Sequence, residues 1–383
     1  MWQLHGLDSA EFIAGYWQKK PCVIRNAFVE FESPVSAPEL AGLACEPDVH
    51  CRLVLEKDGP TPWHLRYGPF SESDFLELPT SHYSLLVSEC EKWLPELTGL
   101  IDQFRFIPDW RIDDLMISYA PEHGSVGPHV DEYDVFLLQA EGQRRWQYTE
   151  KRIESPSLIP DLELAILSDF NPDQEVILNP GDMLYLPPGY AHHGVALEPC
   201  LTYSIGFRAP LALNALESMA MEIDQSGLNS VRYQDPDLEI KRHPAEITDQ
   251  EIEKFSRLAM NLIQDSNDHW QNAIGKMLSD SPVVKDPLDE QPIHVSDLCA
   301  SSWIRHPETR LLFHTNKQTI SFYFNGRCHC LPYDDAILEK IRILCDKREW
   351  SRALILECIS IGSLETLLLE LAFHEAILPF NDD

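Results

Sequence analysis

Between about residues 112 and 208 the chain sets short apolar runs between glycines and prolines: Leu115–Tyr119, Val135–Gln139, Arg144–Tyr148, Glu175–Leu178, Met183–Leu186 and Leu201–Phe207. Runs this short and closely spaced, with no helical segment between them, predict an antiparallel barrel or sandwich. The pattern before them is less regular. A helical stretch over Ser9 to Trp17 leads into Lys19-Lys20-Pro21-Cys22-Val23-Ile24-Arg25, where proline and β-branched residues predict a turn into a strand, and residues 30 to 110 read as mixed and loop-rich. After Pro210 the period becomes helical. Apolar positions recur at helical spacing from Leu211 to Ile223 and stop near Gly227. Thr248-Asp249-Gln250-Glu251 has the form of a capping box, and Ile252, Phe255, Ala259, Leu262 and Ile263 then mark one face; a further helix is predicted over His269–Leu278. Ser279 to Gln291, with its prolines and aspartates, reads as a linker. Beyond it, Arg310–His314 and Thr319–Phe324 flank Asn316-Lys317 as a hairpin, and helices follow over Ala336–Cys345, Arg352–Ser360 and Leu364–Phe373, an order that suits a small winged-helix-like α+β module. The pattern thus predicts an α+β chain in three parts, 1–208, 209–290 and 291–383.

Charge narrows the range of partners. The 383 residues hold 30 Lys+Arg against 62 Asp+Glu, a formal net charge of −32. A surface this negative repels phosphate backbones and anionic membranes and attracts a basic protein. The module beyond Ala300 is nearly balanced and shows no basic recognition face, so no nucleic-acid role is expected for it. The start carries no basic segment followed by an apolar run, and no stretch of about 18 apolar residues occurs, so neither a secretory signal nor a membrane span is expected. Ten scattered cysteines then read as reduced thiols in a cytoplasm. Cys328-His329-Cys330 has the look of a metal cluster but no second ligand pair at zinc-like spacing, and is read as a strand with ordinary side chains near a hairpin.

The chemistry is concentrated in two segments. In Gly127-Pro128-His129-Val130-Asp131 the histidine and aspartate stand two apart, so on a strand both side chains leave one face and converge on one point. An imidazole and a carboxylate make two legs of a 2-His-1-carboxylate facial triad. Asn179-Pro180-Gly181-Asp182, the run Met183–Leu186, and Pro187-Pro188-Gly189-Tyr190-Ala191-His192-His193 place two sharp turns around a strand and offer the second histidine. His192 is favoured over His193, which would face the opposite side. A facial triad leaves metal positions open for a 2-oxo acid and dioxygen, so an anchor for the cosubstrate is needed. Arg144 or Arg145, directly after the Glu141-Gly142 turn on a strand expected to return alongside the metal-bearing one, would hold a far carboxylate through a two-pronged contact. The other arginine is expected in a surface ion pair. Asp113, Asp114, Glu132 and Asp134 are the acidic residues nearest these segments and candidates for attracting a cationic substrate.

Tyr16-Trp17-Gln18-Lys19-Lys20-Pro21, Asp113-Asp114-Leu115-Met116-Ile117-Ser118, Val126 to Phe136, Gly142-x-Arg144-Arg145-Trp146, Pro180-Gly181-Asp182 through His192, and Tyr203 to Arg208 together resemble the JmjC-type Fe(II)/2-oxoglutarate oxygenases, and within them the bacterial ribosomal oxygenase (YcfD/RoxA) type. The resemblance implies a double-stranded β-helix (cupin/JmjC) core over 1–208, a helical dimerisation region and linker over 209–290, and a winged-helix-like domain over 291–383. It implies Fe(II) on His129, Asp131 and His192, the 2-oxoglutarate far carboxylate on Arg144, Ser118 in the cosubstrate pocket, dioxygen as oxidant, and a homodimer. It further implies hydroxylation of an arginine at C3 in large-subunit ribosomal protein sixteen, a basic partner that suits the charge. Hydroxylation of a ribosomal histidine, lysine demethylation, tRNA modification and a non-catalytic cupin-like binding role are the alternatives; the charge disfavours tRNA.

Overall fold

The computed structural model describes residues 3–56, 63–227, 231–236, 243, 245–281 and 293–380. The chain divides into two compact units, Met1–Ala209 and Pro210–Asp383. In the first, twelve strands are described: β1 (Cys22–Ile24), β2 (Cys51–Glu56), β3 (Trp63–Tyr67), β4 (Tyr83–Val87), β5 (Ile112–Ala120), β6 (His129–Val130), β7 (Asp134–Glu141), β8 (Arg144–Tyr148), β9 (Gln174–Leu178), β10 (Met183–Leu186), β11 (Ala191–Ala196) and β12 (Cys200–Phe207). They form an eight-stranded sheet, β1-β10-β7-β12-β5-β4-β2-β3, and a four-stranded sheet, β6-β11-β8-β9, each antiparallel throughout. This is the double-stranded β-helix expected from the sequence.

Strand β7 shows why the middle of the large sheet is buried on both faces. Its side chains alternate, and Phe136, Leu138 and Ala140 join a core with Phe12, Phe28, Phe104 and Phe207, whereas Val135 and Leu137 turn to the other side and pack with Trp146, Leu178 and Leu184. Phe12 comes from the helix Ser9–Gly15, capped by Asp8 accepting from Glu11 N at 2.8 Å, and its ring meets Tyr185 edge-on at 4.8 Å. One face of β7 therefore fastens the sheet to the N-terminal elements, and the other looks into the space between the sheets where the site lies.

Two expectations are corrected here. Residues 30 to 110 are not simply loop-rich: β2, β3 and β4 extend the large sheet beyond β5. Alternation here is brief, as in the buried-exposed-buried start of Cys51-Arg52-Leu53, and short helices, Ala37–Leu43 before β2 and Glu72–Leu76 between β3 and β4, interrupt the strand pattern. The strand Arg144–Tyr148 does not pair directly with β6, the strand His129–Val130, but lies one strand away from it in the same sheet. It crosses to the small sheet and pairs with β11, with Tyr148 opposite His192 and Arg144 opposite Ala196.

The second unit holds the helices Ala212–Gln225, Asp249–Asp265 and Asn267–Ser279, the strands β13 (Ser302–Arg305), β14 (Leu311–Thr315), β15 (Thr319–Phe324), β16 (Arg327–Pro332), β17 (Glu349–Trp350) and β18 (Ile377–Phe380), and the helices Asp335–Asp346, Arg352–Ile359 and Gly362–Phe373. Thr248 and Glu251 make the predicted capping box. The helix Asn267–Ser279 packs on the β14-β15-β16 sheet: Gly275 sits flat against the Tyr323 ring, where a Cβ would come within 2.3 Å, and Tyr323 OH donates to Gln271 O at 3.2 Å. Helices on both sides of residue 290 thus share one unit, and most of the stretch read as a linker, like the boundary expected at 290/291, lies outside the described residues. Among the described residues no helix is long and apolar enough to cross a membrane.

Candidate metal centre

His129 ends a tight approach. Gly127 adopts φ +81°, a region open to glycine, and its carbonyl lies 2.9 Å from His129 Nδ1. The Pro-Pro-Gly turn brings His192 in from the other side, with Gly189 at φ +86° and its N–H donating to Asp131 O at 2.8 Å, which ties the two segments together. On β11, His192 lies directly opposite His129 of β6, and its Nδ1 lies 3.1 Å from Tyr190 O. Both imidazoles therefore donate from Nδ1 to a main-chain carbonyl and turn the Nε2 lone pair inward, the arrangement that fixes a metal-binding tautomer.

Asp131 stands one residue beyond the end of β6 rather than on it, yet its carboxylate reaches both rings: Oδ2 is 3.5 Å from His192 Nε2 and Oδ1 is 3.9 Å from His129 Nε2. The three donor atoms lie within 4.8 Å of one another, and among the described residues this is the group of three such side chains close enough to share an ion. Two neutral nitrogens and one carboxylate oxygen on one side suit a divalent iron with positions left open. Burial, together with His129, pushes His192 down to about 4, so it is neutral and available as a ligand at neutral pH. His193 faces the other way, with Nε2 2.9 Å from Ser125 Oγ and its ring edge-on to Phe170. His192, not His193, stands with His129 and Asp131, and His193 does not line the cavity.

The triad opens on a cavity of about 340 Å³ between the sheets. Three strands contribute every second residue to it: Asp114, Met116 and Ser118 from β5, Val135 and Leu137 from β7, and Thr202, Ser204 and Gly206 from β12. Arg144 lines it too and is buried, its NH2 3.3 Å from Gly194 O, its NH1 3.4 Å from Thr202 Oγ1, and its guanidinium over the Trp146 ring at 5.0 Å. Its Nε has no partner, and among the described residues no carboxylate pairs with it. Desolvation lowers its pKa, as expected of a buried cation that lacks a counter-ion. Gly194 makes room for it, since a Cβ there would come within 2.7 Å of Arg144 Nε. Gly194 is two residues from His192, about 6.6 Å along β11, so the triad and the guanidinium occupy separate parts of one cavity. The residues present therefore fit Fe(II) with 2-oxoglutarate. Ser118 lies in the cavity wall and donates to Thr202 O at 3.4 Å.

Of the four acidic candidates, Asp134 is a structural residue. It is fully buried, accepting from Tyr185 OH at 2.6 Å, Gln18 Nε2 at 2.9 Å and Arg111 NH2 at 2.8 Å. Asp113 is exposed, 3.9 Å from Arg208 Nε, and Glu132 is exposed. Asp114 alone lines the cavity; burial and the neighbouring Asp113 push its carboxyl up to about 6. The sequence reading missed Thr202 and Gly194, although the small and polar residues at every second position of Thr202, Ser204 and Gly206 were a legible sign of a cavity-facing strand.

A sandwich of two antiparallel sheets with an inward 2-His-1-carboxylate set and a buried arginine without a carboxylate partner defines a facial-triad oxygenase. The chain matches the JmjC domain family over residues 99–215. It is 38% identical over 291 residues, 76% of each chain, to the ribosomal protein uL16 3-hydroxylase of Escherichia coli K12, and 41% identical over 230 residues, 60% of this chain and 54% of the other, to a probable ribosomal oxygenase of Haemophilus influenzae. Solved structures of the Escherichia coli ribosomal oxygenase YcfD superpose with a TM-score of 0.82 over 99% of both chains, one with cobalt and 2-oxoglutarate at 32% identity and one with cobalt and succinic acid at 31%. The chain belongs to the JmjC family of ribosomal oxygenases.

Proposed function

We propose that this chain is an Fe(II)- and 2-oxoglutarate-dependent hydroxylase that oxidises C3 of an arginine side chain in large-subunit ribosomal protein uL16 (protein sixteen). One observation carries the reading: a single cavity holds the three ligand atoms, the Arg144 guanidinium, which among the described residues meets no carboxylate, and, on β5, the Asp114 carboxylate. Arg144 supplies the charge for an anionic cosubstrate, and Asp114 the charge for a cationic substrate. The relative named for uL16 3-hydroxylation supports the choice of protein and carbon. Histidine hydroxylation or lysine demethylation would place a different side chain against Asp114.

The residues divide the work. His129, Asp131 and His192 would hold Fe(II), Arg144 with Thr202 would receive the far carboxylate of 2-oxoglutarate, and Ser118 would complete that wall. Such a centre, when loaded, couples oxidative decarboxylation of 2-oxoglutarate by dioxygen to oxidation of an unactivated C–H bond. Met116, Val135, Leu137 and Trp146 form apolar walls that exclude water and confine the substrate stem, so that the reacting carbon is held in place. A guanidinium at Asp114 replaces the proton that burial favours there, so substrate capture weakens as the pH falls through about 6 and the carboxylate is neutralised.

The test is mass spectrometry of uL16 after incubation with the chain, Fe(II) and 2-oxoglutarate. The expected product carries one added oxygen on an arginine, and Asp114→Asn raises the KM for uL16 by roughly 10²-fold, the loss of one or two charge-assisted bonds, with the KM for 2-oxoglutarate unchanged. Oxygen found only on another residue type or another protein overturns the assignment.

The reading extends to partners and assembly. A net charge of −32 favours a basic protein over nucleic acid, and a ribosomal substrate supports a cytoplasmic location. The hairpin of β14 and β15 and the three helices after it support a winged-helix-like module. The helix Asp249–Asp265 buries none of its residues and exposes Ile252, Phe255 and Met260, while Leu213, Leu216 and Met221 are exposed on Ala212–Gln225. These faces are taken to be covered by a second copy. Sedimentation of the full chain is expected to give twice 43.9 kDa, and Phe255→Glu to shift it towards the monomer; a monomeric wild type refutes the dimer.

A further inference from the structure

Strand β16 carries two cysteines that the metal centre does not use. Cys328 and Cys330 are two residues apart, so both side chains leave one face, while His329 turns to the other and meets Glu370 Oε2 through Nδ1 at 2.7 Å. The two Sγ atoms lie 3.9 Å apart. Cys330 is exposed; Cys328 is partly buried, its Sγ 3.6 Å from Asn272 Oδ1 on the helix Asn267–Ser279.

Two chemistries could join such a pair, and geometry separates them. A disulfide needs Cβ atoms about 3.8 Å apart, but alternate residues of a strand are held about 6.6 Å apart with near-parallel Cβ bonds. Oxidation would therefore pull β16 from its ladder, in which Cys328 is opposite Tyr323 and Cys330 opposite Ser321. A bridging cation requires no such movement of the backbone: two metal–sulfur bonds of about 2.3 Å in line span ~4.6 Å, which a small rotation of the exposed Cys330 side chain supplies from the observed 3.9 Å. Ligand number then selects the cation. Zinc wants four protein ligands in a structural site, and among the described residues no carboxylate or imidazole completes a group of three with these sulfurs. Low coordination by soft thiolates is the preference of monovalent copper.

We propose that Cys328 and Cys330 form a binding site for Cu(I), held by two thiolates on the open face of β16. Binding releases two thiol protons and leaves a bis-thiolate complex of charge −1. The Lys276 ammonium acts on Cys328 in the sense that stabilises this charge, partly offset by Glu222, with which it pairs at 2.6 Å. Burial pushes the Cys328 thiol up to about 12, so without a metal that thiol stays protonated and reacts slowly with oxidants.

Anaerobic titration of the full chain with Cu(I) against the chelator bicinchoninate tests the site. The wild type is expected to retain one more Cu(I) per chain than Cys328→Ser/Cys330→Ser; equal retention overturns the proposal. A measurement on the wild type alone guards against a variant that misfolds. One Cu(I) per chain should slow iodoacetamide labelling of Cys330, followed by peptide mass mapping, by about tenfold or more, and an unchanged rate refutes the site. Neither readout involves oxygenase turnover, so the result stands apart from the proposed function.

Discussion

Asp131→Ala is expected to lower product formation by well over 100-fold, more than the 10–100-fold typical of losing a partner that merely orients a metal ligand. The carboxylate is the single anionic donor of the set, reaching His192 at 3.5 Å and His129 at 3.9 Å. Its side chain is 19% exposed and stands past the end of β6, so its removal leaves the ladder between His129 and His192 intact. Far-UV circular dichroism and the melting temperature should stay at wild-type values while succinate release and hydroxylated product both disappear. His192→Ala should behave alike in turnover. Undiminished turnover in either variant would remove these residues from the centre.

Arg144→Met is expected to separate binding from stability. With the guanidinium gone, two charge-assisted bonds to the cosubstrate are lost, about 3 kcal/mol or roughly 10²-fold in the KM for 2-oxoglutarate. Arg144→Lys should recover little, because one ammonium cannot reproduce a two-pronged contact. Without ligand the direction reverses. The wild-type cation is buried with an unpartnered Nε and no carboxylate, so the apolar variant should melt at a higher temperature than the wild type when 2-oxoglutarate is absent. Calorimetry with and without 2-oxoglutarate checks both halves; a variant that melts lower in both conditions would show that Arg144 serves the fold instead.

The centre was readable because its determinants are local. His129 and Asp131 are two residues apart, the turn glycines lie within a few residues of each histidine, and strands Arg144–Tyr148 and Met183–Leu186 have the limits their apolar runs predict. What lay hidden depends on distant pairing. That Arg144 rests on Gly194 and Thr202 follows from β8 crossing to β11 and from β12 lying between β5 and β7, which no run of residues announces. Asp134 illustrates the same limit: beside the metal motif it has the character of a substrate-attracting carboxylate, yet it is enclosed by Gln18, Arg111 and Tyr185, three residues remote in sequence. In β2 the alternation is too short to stand out from the loops around it, and β4 is buried at four consecutive positions and has none.

Both imidazoles of the centre are braced by main-chain carbonyls, Gly127 O and Tyr190 O, where many metal sites use a carboxylate side chain. Substituting a neighbouring acid therefore gives no handle on the electron richness of these ligands, because the bracing groups belong to the path of the backbone itself. An attempt to retune the reactivity of this centre would have to reshape the turns at Gly127 and Gly189, or alter Trp146, whose ring lies 5.9 Å from that of His192.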